Sequence, residues 1–173
     1  MSAGAATEGD TADLRIRAAR PTDAGLILAF IRELAEYEQL AHDLVADEAG
    51  LAMQVFGPTP RAEVLIADVG DEPAGFALFF HNFSTFIGKP GLYLEDLFVR
   101  PAFRGLGLGK RLMVRLAQIA VERDCGRFEW SVLDWNTPAI DFYRSLGAVG
   151  MNEWTVQRVS GEALRALAAQ SPE

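Results

Sequence analysis

The chain has 173 residues, half of them hydrophobic and 23% charged, with a formal net charge of −8 and a pI of about 4.8. That is enough chain for one sizeable core and too little for two comfortable ones, and the acidic balance argues against a nucleic-acid partner while suiting a cationic substrate. No run approaches the ~18 apolar residues of a membrane span, the single Cys125 permits no internal disulfide, and His42 and His81 lack metal-ligand spacing, so no metal is expected.

Residues 1–13 are small, polar and acidic and read as a flexible tail without the features of a signal peptide. A single domain is expected over 14–170, in a reducing cytoplasm. Leu14 to Ala18 alternates apolar and charged residues, as an amphipathic strand does. Pro21-Thr22-Asp23 marks a helix start with Thr22 or Asp23 as its cap, and Ile27, Phe30, Ile31, Leu34 and Tyr37 recur on one helical face. A second helix spans Asp47 to Phe56. Ala62 to Asp68 and Gly75 to Phe83 read as a hairpin around the turn Val69–Pro73. Ser84 to Gly91 reads as a loop, and Leu92 to Val99 as a largely buried strand carrying Glu95 and Asp96.

Arg100-Pro101 ends that strand, since proline cannot donate to a ladder. Arg104-Gly105-Leu106-Gly107-Leu108-Gly109 follows, and then Leu108, Leu112, Met113, Leu116, Ile119 and Ala120 recur at helical spacing. Gly126 is expected to cap this helix in the left-handed conformation. The remaining elements are a strand from Arg127 to Leu133, a helix capped by Thr137 with Pro138 in its first turn, a strand from Glu153 to Ser160 and a closing helix from Gly161 to Ala169. This order predicts an α/β fold with helices on both faces of one sheet.

Strand, glycine loop and helix in succession suit an anion. The first helical turn offers unpaired N–H groups and the positive end of the dipole, and glycines let a phosphate reach the backbone. The dinucleotide spacing G-x-G-x-x-G fails because position 110 is Lys. The nucleotide P-loop fails because positions 104 and 111 are both Arg. What fits is R/Q-x-x-G-x-G/A, filled by Arg104, Gly107 and Gly109. Six residues of this kind could equally be a turn that only joins strand to helix.

With Asn136-Thr137-Pro138-Ala139-Ile140-Asp141-Phe142-Tyr143-Arg144-Ser145-Leu146-Gly147-Ala148 downstream, the chain resembles the GNAT superfamily of acetyl-CoA-dependent N-acetyltransferases. The narrower pattern of Glu36-Tyr37-Glu38, Ile87-Gly88-Lys89, Tyr93 to Val99 and Trp135-Asn136 is similar to the diamine (spermidine/spermine) acetyltransferases. The resemblance implies the GNAT fold, a central, mostly antiparallel mixed sheet with one parallel strand pair splayed at the acetyl-CoA site. It also implies acetyl transfer to a primary amine of a small molecule, a diamine, polyamine or lysine-like amino acid, in a homodimer. Backbone groups of Leu97, Phe98 and Val99 would hold the acetyl and pantetheine part. Arg104, Gly105, Leu106, Gly107, Leu108, Gly109 and Lys110 would hold the pyrophosphate. Asn136, Pro138, Ala139 and Phe142 would line the pantetheine arm, and Tyr37, Glu38, Phe86 and Glu95 would face the amine. The pattern is broken at Ser84, where these enzymes carry an Asp that meets the polyamine, at Phe86 in place of Trp, and by an extra residue near Pro90-Gly91.

The chemistry needs a lone pair on an amine whose pKa is about 10.4, donors for the oxyanion, and a proton for the departing thiolate. Glu95 is the candidate acceptor of the amine proton. Strict alternation puts Asp96 on the opposite face, where a structural ion pair is expected. Tyr143 is the candidate general acid, since a phenol near pKa 10 can protonate a thiolate near 8.5 with a mildly uphill step. A protein or peptide amine as acceptor, or a non-catalytic acetyl-CoA sensor, are the alternatives.

Overall fold

A computed structural model describes residues 13–171, so the expected tail lies, apart from Asp13, outside the described residues. These residues form two compact units, one ending at Ser131 and the other beginning at Val132.

The first unit holds β1 (Leu14–Ala18), α1 (Ala24–Tyr37), α2 (Glu48–Phe56), β2 (Glu63–Val69), β3 (Glu72–Ser84), β4 (Lys89–Val99), α3 (Leu108–Glu122) and β5 (Arg127–Trp130). The strands form one sheet in sequential order. β1 to β4 pair antiparallel, and β5 runs parallel to β4. Burial follows the helical period expected for α1. Ile27, Phe30 and Leu34 pack with Val55 of α2 and with Val64, Ile66, Phe76, Leu78 and Phe98 of the sheet. Phe30 and Phe76 stack with centroids 5.3 Å apart. α3 buries Leu108, Leu112, Met113, Leu116, Ile119 and Ala120, the stripe read from the sequence.

Several boundaries differ, each for a local reason. A 3₁₀ turn, Pro21–Asp23, precedes α1. Asp23 stands at the cap position, but its carboxylate accepts the Arg20 N–H and the Arg17 guanidinium, not a first-turn N–H of α1. β4 begins at Lys89, so the expected loop contracts to a turn over 85–88. Ser84 closes that turn: its Oγ accepts the Ile87 N–H and its carbonyl accepts the Gly88 N–H. After α3 the left-handed residue is Asp124, with φ 53°, and not Gly126. Gly126 is required for space instead, since a Cβ there would stand 2.7 Å from Ile87 Cγ2. β5 stops at Trp130, three residues before the expected end.

The second unit contains α4 (Thr137–Ser145) and α5 (Gly161–Ala168). Asn136, not Thr137, caps α4, its Oδ1 accepting the Ala139 N–H at 3.3 Å. The strand expected at Glu153–Ser160 is absent; the segment joins no ladder, and Trp154 and Val156 are exposed. A strand is stable only when a neighbour pairs its backbone, which the side-chain pattern cannot supply.

One buried carboxylate secures the start of the sheet. Asp68 of β2 is only 2% exposed, and its Oδ2 accepts from Arg17 Nε at 2.8 Å and Arg15 at 3.2 Å. Arg17 also binds Asp23, holding that carboxyl below its ordinary range. Removing one partner of a buried pair costs more than removing an exposed one. Asp68→Ala is expected to lower the unfolding free energy by about 2–4 kcal/mol. Glu63→Gln, at the exposed pair with Arg123, should change it by less than about 1 kcal/mol. Urea denaturation of the two variants reads both.

Candidate functional site

β4 is interrupted on both of its edges at one point. On the β3 side of β4, the register steps from Leu78↔Asp96 to Phe79↔Leu94, so Glu95 faces no partner and forms a bulge. On the other side, β5 pairs with Gly91 to Leu94 and then ends at Trp130. Among the described strands, none pairs with β4 from Glu95 to Val99 on that edge. The backbone N–H and C=O groups there that point away from β3 meet no strand, at the point where β4 and β5 part; one of them, the Val99 carbonyl, accepts from Arg104 Nε.

The bulge also redirects side chains. Residues opposite one another on an antiparallel ladder share a face, so Asp96 lies on the face of Leu78, towards α1. The strict alternation that separated Glu95 from Asp96 does not hold here. Asp96 also lacks the expected ion pair, no salt bridge to it existing among the described residues. Burial first, and then the negative charges of Glu95 and Glu38, push its carboxyl up to about 6. Burial likewise raises Glu38, the residue that follows α1. Glu95 itself is exposed. Three carboxylates without a matching cation make a site that favours a positive charge. Asp96 is the residue the sequence reading set aside. Two adjacent carboxylates in an apolar strand were its visible signal, and the bulge was not visible.

The glycine loop follows Val99 after a 3₁₀ turn, Pro101–Phe103. Gly105 and Gly107 adopt φ of 82° and 83°, with nothing near the place of a Cβ, so glycine serves there for its backbone conformation. Gly107 is the cap residue of α3 and has no side chain to occupy the first-turn N–H groups. The first intrahelical bond runs from Arg111 N–H to Gly107 C=O, which leaves the N–H groups of Leu108, Gly109 and Lys110 open to an anion. Lys110 and Arg111 are exposed beside them, and buried Leu108 anchors the turn in the core.

Other expected site residues fall as follows. Leu97, Phe98 and Val99 lie in the stretch of β4 that β5 does not reach, but the Phe98 side chain is in the core and its carbonyl lies against Gly75 of β3, so the backbone facing the open edge there belongs to Leu97 and Val99. Arg104 belongs to the loop by its backbone, while its guanidinium folds onto Tyr37 and Phe98. Leu106 is half-exposed. Phe86, at the tip of the β3–β4 turn, is 98% exposed and enclosed by nothing in its own chain. In the second unit, buried Asn136 caps α4 together with Ala139, Pro138 sits in the first turn, and the Phe142 and Tyr143 rings tilt together at 5.3 Å. No group of three or more potential metal ligands occurs among the described residues.

A split parallel strand pair, an open β4 edge and a side-chain-free helix N-terminus beyond a glycine loop are the architecture of an acyl-CoA-dependent acyltransferase. Residues 29–148 match the model of the acetyltransferase (GNAT) family, and the chain belongs to that family. It is an N-acetyltransferase that uses acetyl-CoA. The thialysine N-epsilon-acetyltransferase of Mus musculus is 38% identical over 92% of this chain and 99% of its own length. The spermidine/spermine N(1)-acetyltransferase-like protein 1 of Homo sapiens is 34% identical over 89% of this chain and 24% of its own. Among solved structures, an integron cassette protein from the mobile metagenome of V. cholerae superposes with a TM-score of 0.76 at 33% identity, covering 91% of this chain and 98% of the other.

A left-handed backbone costs a non-glycine residue roughly 1–2 kcal/mol. Gly107→Ala is therefore expected to weaken acetyl-CoA binding by about 5- to 30-fold while the protein stays folded, as read by calorimetric titration alongside circular dichroism.

Proposed function

We propose that the protein transfers the acetyl group of acetyl-CoA to a side-chain amine of a lysine-like amino acid. The observation that carries this reading is the group of Glu38, Glu95 and Asp96 beside the open β4 edge, with Asp96 held near pKa 6. The residues suit the co-substrate: loop glycines and open N–H groups for its pyrophosphate, an unpaired strand edge for its amide-bearing arm. A compact monocation is favoured over a polycation because Ser84, neutral and engaged in its own turn, stands where a polyamine enzyme carries a carboxylate. The 38% identity to a thialysine enzyme points the same way.

The amine nitrogen attacks the acetyl carbonyl carbon after losing a proton, and the C–S bond then breaks. Glu95 and Glu38 draw in the ammonium group, and Asp96 receives its proton, directly or through water. Moving a proton from an amine near 10.4 to a carboxylate near 6 is uphill by about 6 kcal/mol. An unshifted aspartate would add about 3 kcal/mol. Against the ~16 kcal/mol barrier of a typical enzyme, the shift is therefore worth about two orders of magnitude. A backbone N–H of Leu97 or Val99, the two that point away from β3, stabilises the oxyanion, and the Tyr143 hydroxyl protonates the thiolate. In this reading 14–170 is one acetyltransferase domain; the family match spans the Ser131–Val132 boundary. In the same reading the protein works in the cytoplasm. It pairs as a homodimer, supported by the exposed apolar side chains of Val149, Met151, Trp154 and Val156; sedimentation at micromolar concentration should give a mass of two chains.

The test is CoA release against thialysine, lysine, ornithine, spermidine and a lysine peptide. Turnover is expected on the amino acids above the polyamine, rising with pH through an apparent pKa near 6. Asp96→Asn should lower kcat by about 100-fold and remove that acidic limb. The same variant should be more stable above pH 6 by about 1–3 kcal/mol. The sign follows from the raised pKa: the folded state holds the extra proton between about pH 4 and 6, so this site's stabilisation is lost as pH rises through 6. Tyr143→Phe should lower turnover with acetyl-CoA affinity intact. Acetyl-CoA binding without turnover on any amine would replace this reading with that of a sensor.

A further inference from the structure

Arg104 joins the glycine loop to the end of α1. Its backbone lies in the glycine loop, next to Gly105. Its Nε donates to the Val99 carbonyl at 2.9 Å, and its guanidinium lies 5.0 Å from the Tyr37 ring centroid and 5.8 Å from that of Phe98. Phe98 is core and does not move easily, whereas Tyr37 is 39% exposed on the last residue of α1. The helix stops abruptly there: Gln39 takes φ 62°, unusual for a residue with a Cβ. A cation at this end also complements the helix dipole.

The neighbouring arginine shows how the rest of α1 is held. Arg100 grips Glu33 with both Nε and Nη2, donates to the Pro73 carbonyl and lies 4.6 Å over the Phe30 ring. Phe30, Glu33 and Tyr37 fall on one helical face, so Arg100 fastens the middle of α1 and Arg104 its last turn. Arg100 is half-buried and multiply bonded. Arg104 is exposed, its side chain makes one hydrogen bond among the described residues, and its grip depends on how well the loop that carries it is ordered.

We propose that Arg104 is a positioning residue that transmits occupancy of the glycine loop to the end of α1. A phosphate-bearing ligand on the N–H groups of the loop immobilises the backbone at 104–107. The ordering cost of the Arg104–Tyr37 contact is then already met, so Tyr37 and Glu38 settle into place. By reciprocity, an occupant at the end of α1 tightens the loop's ligand by the same factor. This rests on the reading above for the site, but its first test needs no amine.

Hydrogen exchange is followed at residues 36–40 with and without saturating CoA, in wild type, Arg104→Gln, Tyr37→Leu and the double variant, with circular dichroism confirming the fold of each. Wild type should show exchange slowed about three- to tenfold by CoA. Each single variant should lose that protection, and the double variant should lose no more than either. Protection that persists in Arg104→Gln, or is absent from wild type at saturation, overturns the proposal. So does a loss of CoA affinity in Arg104→Gln with protection unchanged in Tyr37→Leu, the pattern of a mere phosphate ligand. With an accepted amine, Arg104→Gln should raise the amine KM more than it lowers kcat. Turnover without protection would sink only this coupling; protection without turnover would sink only the amine reading.

Discussion

The interruption of β4 at Leu94 and Glu95 is the feature on which the first unit's chemistry depends. A strand inside a sheet has both edges satisfied and can offer a ligand nothing. Here the bulge releases Glu95 from β3, and the end of β5 after Leu94 releases the opposite edge from the same residue onwards. One short stretch of backbone therefore stays strand-like in shape, paired to β3 on one edge and free of any described strand on the other. An amide-bearing arm can pair with it as a strand would. The stiffness comes from neighbours: Phe98 remains clamped by Phe76 and Leu78, so the open edge is held by a packed core.

The same interruption sets the electrostatics. By shifting the alternation, it puts Asp96 on the α1 face, in reach of Glu38, with Glu95 nearby. No described cation answers this charge. The two arginines closest in sequence, Arg100 and Arg104, are turned to Glu33 and to aromatic rings. Charge of one sign left unmatched in a half-buried place is costly to the fold, and it persists where a ligand of the other sign completes it. The positive counterpart lies beyond Val99, where α3 presents bare N–H groups with Lys110 and Arg111. The two ends of the same strand segment thus carry opposite potentials, negative at Asp96 and positive beyond Val99.

Local rules served the sequence reading well wherever the chain's own neighbours decide the outcome. The α1 and α3 stripes, the glycine loop, and the strand character of 92–99 follow from periodicity and backbone freedom, and the fold has them in place. The misses share one physical origin. Asp124 rather than Gly126 turned left-handed because Gly126 was needed for its small size beside Ile87, a contact 39 residues away in the chain. The Ser84–Gly91 loop shrank because Pro90 and Gly91 could extend β4 against β3. Asp96 was assigned an ion pair because a bulge leaves no mark in an alternation pattern.

The sequence by itself determined the order of elements, the helix faces and the anion-binding loop, because those rest on 3.6-residue periodicity, on glycine's access to positive φ and on unpaired N–H groups at a helix start. Only the tertiary structure decided where β5 ends, where β4 bulges, and therefore which face Asp96 takes. It also decided that Arg104 reaches Tyr37. Those outcomes depend on pairing register between strands distant in sequence, which side-chain pattern alone does not encode.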